Sequence, residues 1–441
     1  MLFSRLVSLL RATIISAAIT FVLVEISLRL KPDVVPVFFL VQFNENIRAE
    51  IATRLNYPTQ HTNKFILRDD GGPPLWVTMP GQVVTMTVDD RDAGSVKRVS
   101  MDWKGFCNPF DRNDRAYRVD IVTVGDSFSW CMGVGAEETW SSGIAEITNL
   151  GTYNLSRPAI GLHEDVQLLK MFGVEMGPRV VIMNFYEGND LRDVLRFRAF
   201  ADATLLVKTS PSQAERPPQA ANLSQLGRLY FWILNGWMGR SSYAVNTLMT
   251  TVNHLYQRFK SDGAAEGKRR TQLSEIDFRY RLVFGSDEVA FNLDNADQDE
   301  VRSARKLIDD DSVLTLLDAP LESFADLAQR HAFLPVLAYS PSAHTAYAEQ
   351  AQFADPALAP LLERFSNTQR AYLRRKAATL GLVFIDLTPT LRRSAAALGA
   401  RDLLYFPVNL HYTQRGHSVV AEAITEALRR ESVRRGITLF D

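Results

Sequence analysis

Three short polar segments contain the residue types of a site that transfers acyl groups. A Gly-Asp-Ser tripeptide at 125–127 puts Ser127 directly after an apolar run, and a Gly-Asn-Asp tripeptide at 188–190 puts Asn189 after another. His411 precedes the last segment with helical apolar periodicity. A serine hydroxyl can attack a carbonyl carbon while histidine takes its proton, and an asparagine amide can donate to the oxyanion that forms. Each segment is by itself also an ordinary turn sequence, so the prediction depends on how the fold places all three.

The elements around these segments alternate between strand and helix. Short apolar runs rich in β-branched residues are predicted as strands at 119–124, 152–155, 179–185, 333–339 and 382–385. Segments compatible with helix, several of them with a one-sided apolar stripe, are predicted as helices at 137–149, 163–172, 321–330, 360–380 and from residue 415. This alternation predicts an α/β fold with a parallel sheet covered on both faces. Ligands of such sheets bind at the carboxyl ends of the strands, where both tripeptides are expected to lie.

The GDS tripeptide, the GND tripeptide and the histidine of NLHYTQRGH (409–417) resemble, in this order, the SGNH or GDSL-like family of hydrolases. The likeness covers about 119–194 and again about 321–430, and it leaves the intervening residues outside. It implies a three-layer α/β/α domain that acts on ester bonds.

The same resemblance implies a role for each matching residue. Ser127 would attack an acyl carbon and His411 would take its proton. The backbone N–H of Ser127 and the side-chain amide of Asn189 would donate to the oxyanion, with Gly188 allowing close approach of the backbone.

One departure from the family pattern concerns the remaining oxyanion donor. The family has a backbone N–H of a glycine after the second strand, and the aligned residue here is Ala159. A backbone donor survives a change from glycine to alanine unless φ is positive. Gly161 is the alternative donor if the loop is shifted.

A second departure concerns the partner of the base. The family has an aspartate shortly before the histidine, whereas Asn409 precedes His411 by two residues. The Asn409 side-chain carbonyl can orient the imidazole but cannot offset the charge of the imidazolium. We expect a slower, dyad-like enzyme. A neighbouring acid such as Asp402, or decay toward a non-enzyme, are the alternatives.

The N-terminus is predicted to be a membrane anchor. Residues 6–30 are mostly apolar and reach spanning length by tolerating Arg11 and Glu25. Glu25 can pair with Arg29 at helical spacing. A cleaved signal peptide is the competing interpretation, but no small-x-small site follows the apolar run. Basic residues before the helix favour a cytoplasmic N-terminus and an extracytoplasmic (for instance periplasmic) body.

The remaining segments complete the predicted organisation. Short strands are expected at 76–79 and 83–88, a flexible linker at 210–221, and helix at 229–259. A second span in that last segment is disfavoured because Arg240 would lie near its middle, so a helical insertion that covers or flanks the site is expected. The predicted divisions are a membrane anchor at 1–32, a β-rich lead-in at 33–118, the two halves of the SGNH-like domain at 119–195 and 314–433, an insertion at 196–313, and a C-terminal tail at 434–441.

Composition excludes several other classes. The 441 residues carry 49 Lys plus Arg and 50 Asp plus Glu, for a net charge of −1. That balance gives no basic field for nucleic acid, and neither a phosphate loop nor a metal-ligand spacing stands out, so no cofactor or metal is expected. Cys107 and Cys131 are interpreted as two separate buried thiols, with one bridge as the alternative.

Three functions fit the sequence. The first is an O-acyl esterase that removes acyl groups from an envelope carbohydrate or another small ester through an acyl-Ser127 intermediate. The second is an O-acyltransferase that uses the same serine, beside a membrane-bound O-acyltransferase partner. The third is a binding or assembly protein that keeps the fold without activity, which Asn409 and Ala159 motivate.

Overall fold

The computed structural model describes residues 2–35, 43–44, 47, 50–51, 54, 63–66, 75–78, 80–87, 96–113, 117–209, 233, 236–252, 276–292, 295, 298–437 and 439. The chain divides into two compact units. One contains Met1–Asn63 and Leu206–Ser274, and the other contains Lys64–Leu205 and Glu275–Asp441. The predicted linker at 210–221 lies outside the described residues.

The strands and helices are numbered in chain order. The strands are β1 (Asn63–Ile66), β2 (Leu75–Thr78), β3 (Val83–Thr87), β4 (Val96–Ser100), β5 (Ile121–Val124), β6 (Thr152–Asn154), β7 (Val180–Tyr186), β8 (Tyr280–Phe284), β9 (Asp287–Phe291), β10 (Leu334–Ser340), β11 (Ala351–Phe353) and β12 (Val383–Asp386). The helices are α1 (Leu2–Leu30), α2 (Trp140–Thr148), α3 (Leu162–Leu168), α4 (Asp190–Thr209), α5 (Trp237–Ser241), α6 (Gln298–Asp309), α7 (Asp318–His331), α8 (Ala343–Ala346), α9 (Leu358–Leu380), α10 (Thr388–Ala397) and α11 (Gln414–Arg435). Residues 243–252 form a further helix.

A five-stranded parallel sheet organises the larger unit. Its strands stand in the order β12-β10-β7-β5-β6, and every neighbouring pair is parallel. Every residue of β5 and β7 is buried, as expected for strands covered on both faces. The sheet and its alternating helices confirm the α/β prediction, and the element bounds differ from the expected ones by a few residues at most.

Two apolar clusters cover the opposite faces of this sheet. Alternate β5 residues point to opposite sides: Val122 joins the cluster that α3, α7 and α9 complete, and Ile121 joins the cluster of α2, α10 and α11. Each fully buried aliphatic side chain stabilises the fold by about 1.5–3 kcal/mol. The result is the expected three-layer α/β/α arrangement, which holds the carboxyl ends of β5 and β7 side by side.

The segment expected to be a helical insertion contains more than helix. A β-hairpin, β8–β9, turns at Gly285 (φ +62°) and joins β11 in an antiparallel sheet of the larger unit. Its sequence, YRLVF-GS-DEVAF, has two apolar runs around a two-residue turn, which is the pattern of a hairpin. In the smaller unit, α5 and the 243–252 helix are helical as expected.

The two cysteines form a disulfide, so the expectation of separate thiols is wrong. Cys107, in the lead-in, is bonded to Cys131, which lies shortly after the nucleophile turn. The fold brings their Cα atoms to 6.2 Å, within the range that a disulfide spans, although 24 positions separate them in sequence. The bridge lies in a small apolar cluster with the antiparallel pair β3–β4.

Among the described residues, one helical segment is long and apolar enough to cross a membrane, Arg11–Leu30. Its length and composition would also suit a signal sequence. Glu25 and Arg29 form the expected ion pair, with 2.6 Å between carboxylate and guanidinium.

Candidate active site

The nucleophile turn follows β5 directly. The Phe128 N–H donates to the Asp126 carboxylate (2.9 Å), and the N–H groups of Ser129 and Trp130 donate to the Asp126 carbonyl. These bonds close a tight turn that leaves Ser127 8% exposed at the sheet edge. A Cβ on Gly125 would lie 2.5 Å from the Ser129 hydroxyl, so the turn has no room for a side chain there.

His411 lies against this serine. Its Nε2 atom is 2.8 Å from the Ser127 hydroxyl oxygen, although 284 positions separate the two residues in sequence. The loop that carries His411 is held by a bridge between Tyr405 and Tyr412 and by the bond from the Phe406 N–H to the His411 carbonyl (2.8 Å). The structure therefore brings together the two residues that the sequence proposes as nucleophile and base.

The third partner is a main-chain carbonyl. His411 Nδ1 lies 2.8 Å from the carbonyl oxygen of Asn409, while the Asn409 side chain accepts the His411 backbone N–H (3.0 Å). The expectation that the Asn409 side chain orients the ring is therefore wrong. Leu410 has a φ of +59°, and this left-handed residue turns the chain so that the carbonyl faces the imidazole.

This bond selects a tautomer. A carbonyl only accepts, so His411 Nδ1 carries the proton and Nε2 presents its lone pair to Ser127. Asp402 does not supply the missing acid, because it is exposed and pairs with Arg415 at 3.8 Å. The arrangement orients the base correctly, but its Nδ1 partner is an uncharged carbonyl, which cannot offset the charge of the imidazolium.

Burial determines the proton affinity of this imidazole. Desolvation lowers the pKa of His411 to about 4, and the bond to the Asn409 carbonyl opposes the shift only partly. His411 is therefore neutral, and able to accept a proton, throughout the neutral range. His417 also stays neutral, since burial lowers its pKa to about 3, and its Nδ1 accepts the Trp140 N–H, which is a structural role.

The predicted oxyanion residues share a cavity with the nucleophile. Gly188, Asn189 and Ala159 line the same space of about 220 Å³ as Ser127 and His411. Asn189 lies in the short connection between the end of β7 at Tyr186 and the start of α4 at Asp190. These residues therefore lie in the same cavity as the nucleophile and the base.

Ala159 has a positive φ, which is the case in which its backbone donor was not expected to survive the change from glycine to alanine. Its φ is +60°, a left-handed value that disfavours every residue with a Cβ by about 1–2 kcal/mol. The loop thus keeps a glycine-like backbone under strain. Gly161 is not the alternative donor, because its N–H donates to the Glu164 carboxylate (3.3 Å) at the start of α3.

No protein-family model matches the sequence, and no curated protein matches it. Two solved structures are similar to it. One is a G-D-S-L family protein from Desulfitobacterium hafniense DCB-2, with 11% identity over 70% of this chain and 98% of that chain and a TM-score of 0.30. The other is an SGNH-hydrolase-type protein from Slackia heliotrinireducens, with 10% identity, the same coverage and a TM-score of 0.31.

The fold is SGNH-like. This description rests on the parallel sheet between two helical layers and on the GDS, GND and histidine segments, which lie in that order at one edge of the sheet.

The SGNH-like cavity has a wall that the sequence did not predict. Besides the predicted residues, Arg192, Asp299 and Glu300 line it. Arg192 pairs with Asp193 (2.9 Å) and lies 3.8 Å from Asp299. The two acids belong to the first turn of α6, where acidic residues are common for electrostatic reasons, so the sequence carries no signal for this role.

Aromatic rings form another part of the site. Phe128 stacks on Tyr186 with 3.5 Å between ring centroids and on His411 with 4.6 Å, and Tyr412 meets it edge-on. These contacts fix the imidazole plane beside the nucleophile. In the sequence, Phe128 and Tyr186 stand beside the GDS and GND tripeptides, and this position is the signal that could have predicted their place in the site.

Buried acids lie beneath the nucleophile turn. Burial raises the pKa of Asp126 to about 7, and nearby Asp193 adds to the shift. Burial, and then the charge of Asp126, raise the pKa of Asp165 and of Asp190 well above the usual value. A raised pKa favours the protonated, neutral form of each of these carboxyls.

Among the described residues, Glu187, Glu300 and His344 are close enough to bind a metal ion, with ligand atoms within 4.8 Å of one another. Their acceptors are already occupied. His344 Nε2 lies 2.9 Å from Glu300, and the hydroxyls of Tyr339 and Ser366 each donate to Glu187 (2.9 Å). The donor set fits a buried hydrogen-bond network better than a metal centre.

Proposed function

We propose that this protein is a serine-dependent ester hydrolase that removes an O-acyl group, such as acetyl, from an envelope carbohydrate. The observation that carries the proposal is the Ser127 hydroxyl at 2.8 Å from a His411 Nε2 whose ring is oriented through Nδ1. A serine hydroxyl beside a neutral imidazole, with the imidazole oriented by a third group, is the arrangement of an activated nucleophile.

In the proposed reaction, Ser127 Oγ attacks the acyl carbon while His411 Nε2 takes the hydroxyl proton. The amide of Asn189 and the backbone N–H groups of Ser127 and Ala159 stabilise the oxyanion. Collapse expels the sugar alkoxide, which takes the proton from His411. Water then attacks the acyl-Ser127 ester, again giving a proton to His411, and releases the carboxylic acid and the free serine.

The polar wall of the cavity supports a hydroxyl-rich substrate. Arg192 and Asp299 line the same cavity as the nucleophile and offer a donor and an acceptor, and sugar hydroxyls can bond to both kinds. The same wall favours a second candidate, an O-acyltransferase in which a sugar hydroxyl replaces water. That enzyme would receive acyl groups from a membrane-bound O-acyltransferase partner.

We further propose that α1 anchors the protein and that the body lies outside the cytoplasm. The apolar stretch Arg11–Leu30 supports the anchor. The Cys107–Cys131 disulfide supports the location, since disulfides form and persist in oxidising compartments.

Labelling with a fluorophosphonate tests the central claim. The probe phosphonylates an activated serine hydroxyl and releases fluoride. We expect one adduct per full-length chain by intact mass, lost in Ser127→Ala and retained in Ser418→Ala, a control on α11 whose hydroxyl donates to the Gln414 carbonyl. A folded protein without an adduct would support the non-catalytic alternative. Acyl transfer to an added glycan, measured against hydrolysis, separates the two enzymatic candidates.

A further inference from the structure

Glu25 caps a helix that is remote from it in sequence. Its carboxylate accepts the hydroxyl of Ser242 (2.8 Å) and the backbone N–H groups of Tyr243 (3.3 Å) and Ala244 (2.8 Å). These groups begin the 243–252 helix, so a charge inside α1 satisfies donors that the first turn of a helix leaves unpaired. These bonds account for the presence of an acidic residue, Glu25, in the apolar run of α1.

Arg29 completes the same clamp. Its guanidinium donates to the Ser241 carbonyl at the end of α5 and lies 4.9 Å from the ring centroid of Tyr243. Together with its bond to Glu25, it neutralises both charges at one end of α1. The clamp holds the turn between α5 and the 243–252 helix against α1.

The 243–252 helix runs back along α1. Ala244 and Leu248 border a groove of about 760 Å³ whose other lining residues are all on α1 before Glu25, from Ala12 to Val24. The helix therefore proceeds from its cap at Glu25 toward the N-terminal end of α1. Ten residues rise about 15 Å, which is about half of a bilayer's hydrocarbon core.

The free surface of the 243–252 helix is apolar, and Arg240, an exposed basic residue on α5, lies outside this helix. Leu248 and Val252 are each at least half exposed, at 58% and 50%. Residues 241–257 include no Asp, Glu, Lys or Arg. α1 also has exposed apolar side chains, among them Ile15, Ile19 and Leu23.

Three polar side chains of the segment 237–252, those of Asn246, Thr247 and Thr251, donate to main-chain carbonyls within it. The hydroxyls of Thr247 and Thr251 donate to carbonyls one turn earlier, at 2.9 and 2.7 Å. Asn246 donates to the Gly239 and Ser242 carbonyls. Internal satisfaction of this kind is what a hydrocarbon environment requires.

From this geometry we infer that the 243–252 helix is a second membrane-embedded element. It enters the acyl-chain region beside the C-terminal end of α1 as a re-entrant helix, with lipid tails against Leu248 and Val252. The inference rests on the proposal that α1 spans the membrane, and it identifies the anchor as a two-element structure.

Spin-label accessibility tests this. Leu248→Cys and Val252→Cys are labelled with a nitroxide in the full chain, reconstituted in phosphatidylethanolamine and phosphatidylglycerol vesicles with the Cys107–Cys131 bridge intact. Collisions with oxygen report lipid, and collisions with a nickel chelate report water. Ile19→Cys on α1 and Phe110→Cys in the other unit, 56% and 85% exposed, are the controls.

We expect the labels at 248 and 252 to match Ile19, with oxygen accessibility several-fold above nickel accessibility, and Phe110 to show the reverse. Nickel access at 248 and 252 with oxygen access at Ile19 would overturn the inference and leave the anchor standing. Nickel access at Ile19 would overturn the anchor itself. Low accessibility to both probes would mean that protein, not lipid, covers the segment, which also overturns the inference.

Discussion

The Nδ1 atom of His411 lies 2.8 Å from the main-chain carbonyl oxygen of Asn409. The side chain at position 409 is thus not the group that orients the base. A carbonyl fixes the tautomer as well as a carboxylate does, but it leaves the imidazolium charge unbalanced. Activity should therefore depend on the backbone of this loop more than on the identity of its asparagine.

Substitution of Asn409 separates the contribution of its side chain from that of its main-chain carbonyl. We expect Asn409→Ala to keep kcat/KM within about tenfold, because the carbonyl remains, whereas His411→Ala should lose about 10³-fold or more. Hydrolysis of 4-nitrophenyl acetate gives both values. A loss in Asn409→Ala as large as in His411→Ala would show that the side chain is essential.

The pH profile reports the unusual base. Activity requires neutral His411, and its pKa is lowered to about 4 by burial, so kcat/KM should rise through an acid limb near pH 4 and be level by pH 6. Asn409→Asp adds a carboxylate beside the ring, favours the imidazolium, and should move the limb upward. A wild-type limb near pH 6.5 would contradict the desolvated environment.

Ala159→Gly should relieve backbone strain. Glycine adopts the +60° φ freely, and after its larger unfolded-state entropy is subtracted, the gain in free energy of unfolding is about 0.5–1 kcal/mol. Ala332→Gly, at a φ of +56° at the end of α7, is the matched control. Chemical denaturation should show a gain in both variants, with kcat/KM retained. A gain in the control alone would show that the Ala159 side chain contributes packing.

Asp126→Asn should change how stability depends on pH. The pKa of Asp126 is raised from 3.8 to about 7, so its contribution to stability is complete below pH 4 and is lost as pH rises through 7. An amide has no proton to lose. The stability of the variant relative to wild type should therefore increase from pH 4 to pH 8, by up to about 4 kcal/mol.

Urea denaturation at each pH measures this difference. Asp402→Asn, in which an exposed carboxyl is changed, controls for the general loss of one charge. A difference between Asp126→Asn and wild type that stays constant with pH would refute the protonated state of Asp126.

The sheet and its edge could be predicted from sequence because their signals are local. The runs that form β5 and β7 are mostly apolar, and the GDS and GND tripeptides follow their ends within two residues. In a parallel sheet these ends must meet on one edge, so the proximity of Ser127 and Asn189 follows from topology. The hairpin β8–β9 also has a local sequence signal, which is two apolar runs around Gly285-Ser286.

Other features depend on contacts that sequence does not specify. Which atom of Asn409 meets the imidazole is decided by the left-handed φ of Leu410, a residue type that disfavours this conformation. Asp299 and Glu300 reach the cavity because α6 packs beside α9, a long-range outcome. Such features follow from tertiary packing rather than from any local pattern.

The bond between Cys107 and Cys131 links the segment before the sheet to the chain just beyond the nucleophile. The shape of the nucleophile loop is therefore tied to the thiol chemistry of its surroundings. Protein made in a reducing cytosol would lack this tie, and the closed loop of about 24 residues corresponds to about 3 kcal/mol of stability. Enzyme from an oxidising compartment and enzyme from a reducing one then differ in this bond. A weak activity of enzyme from the reducing compartment would reflect the missing disulfide rather than the chemistry of the site.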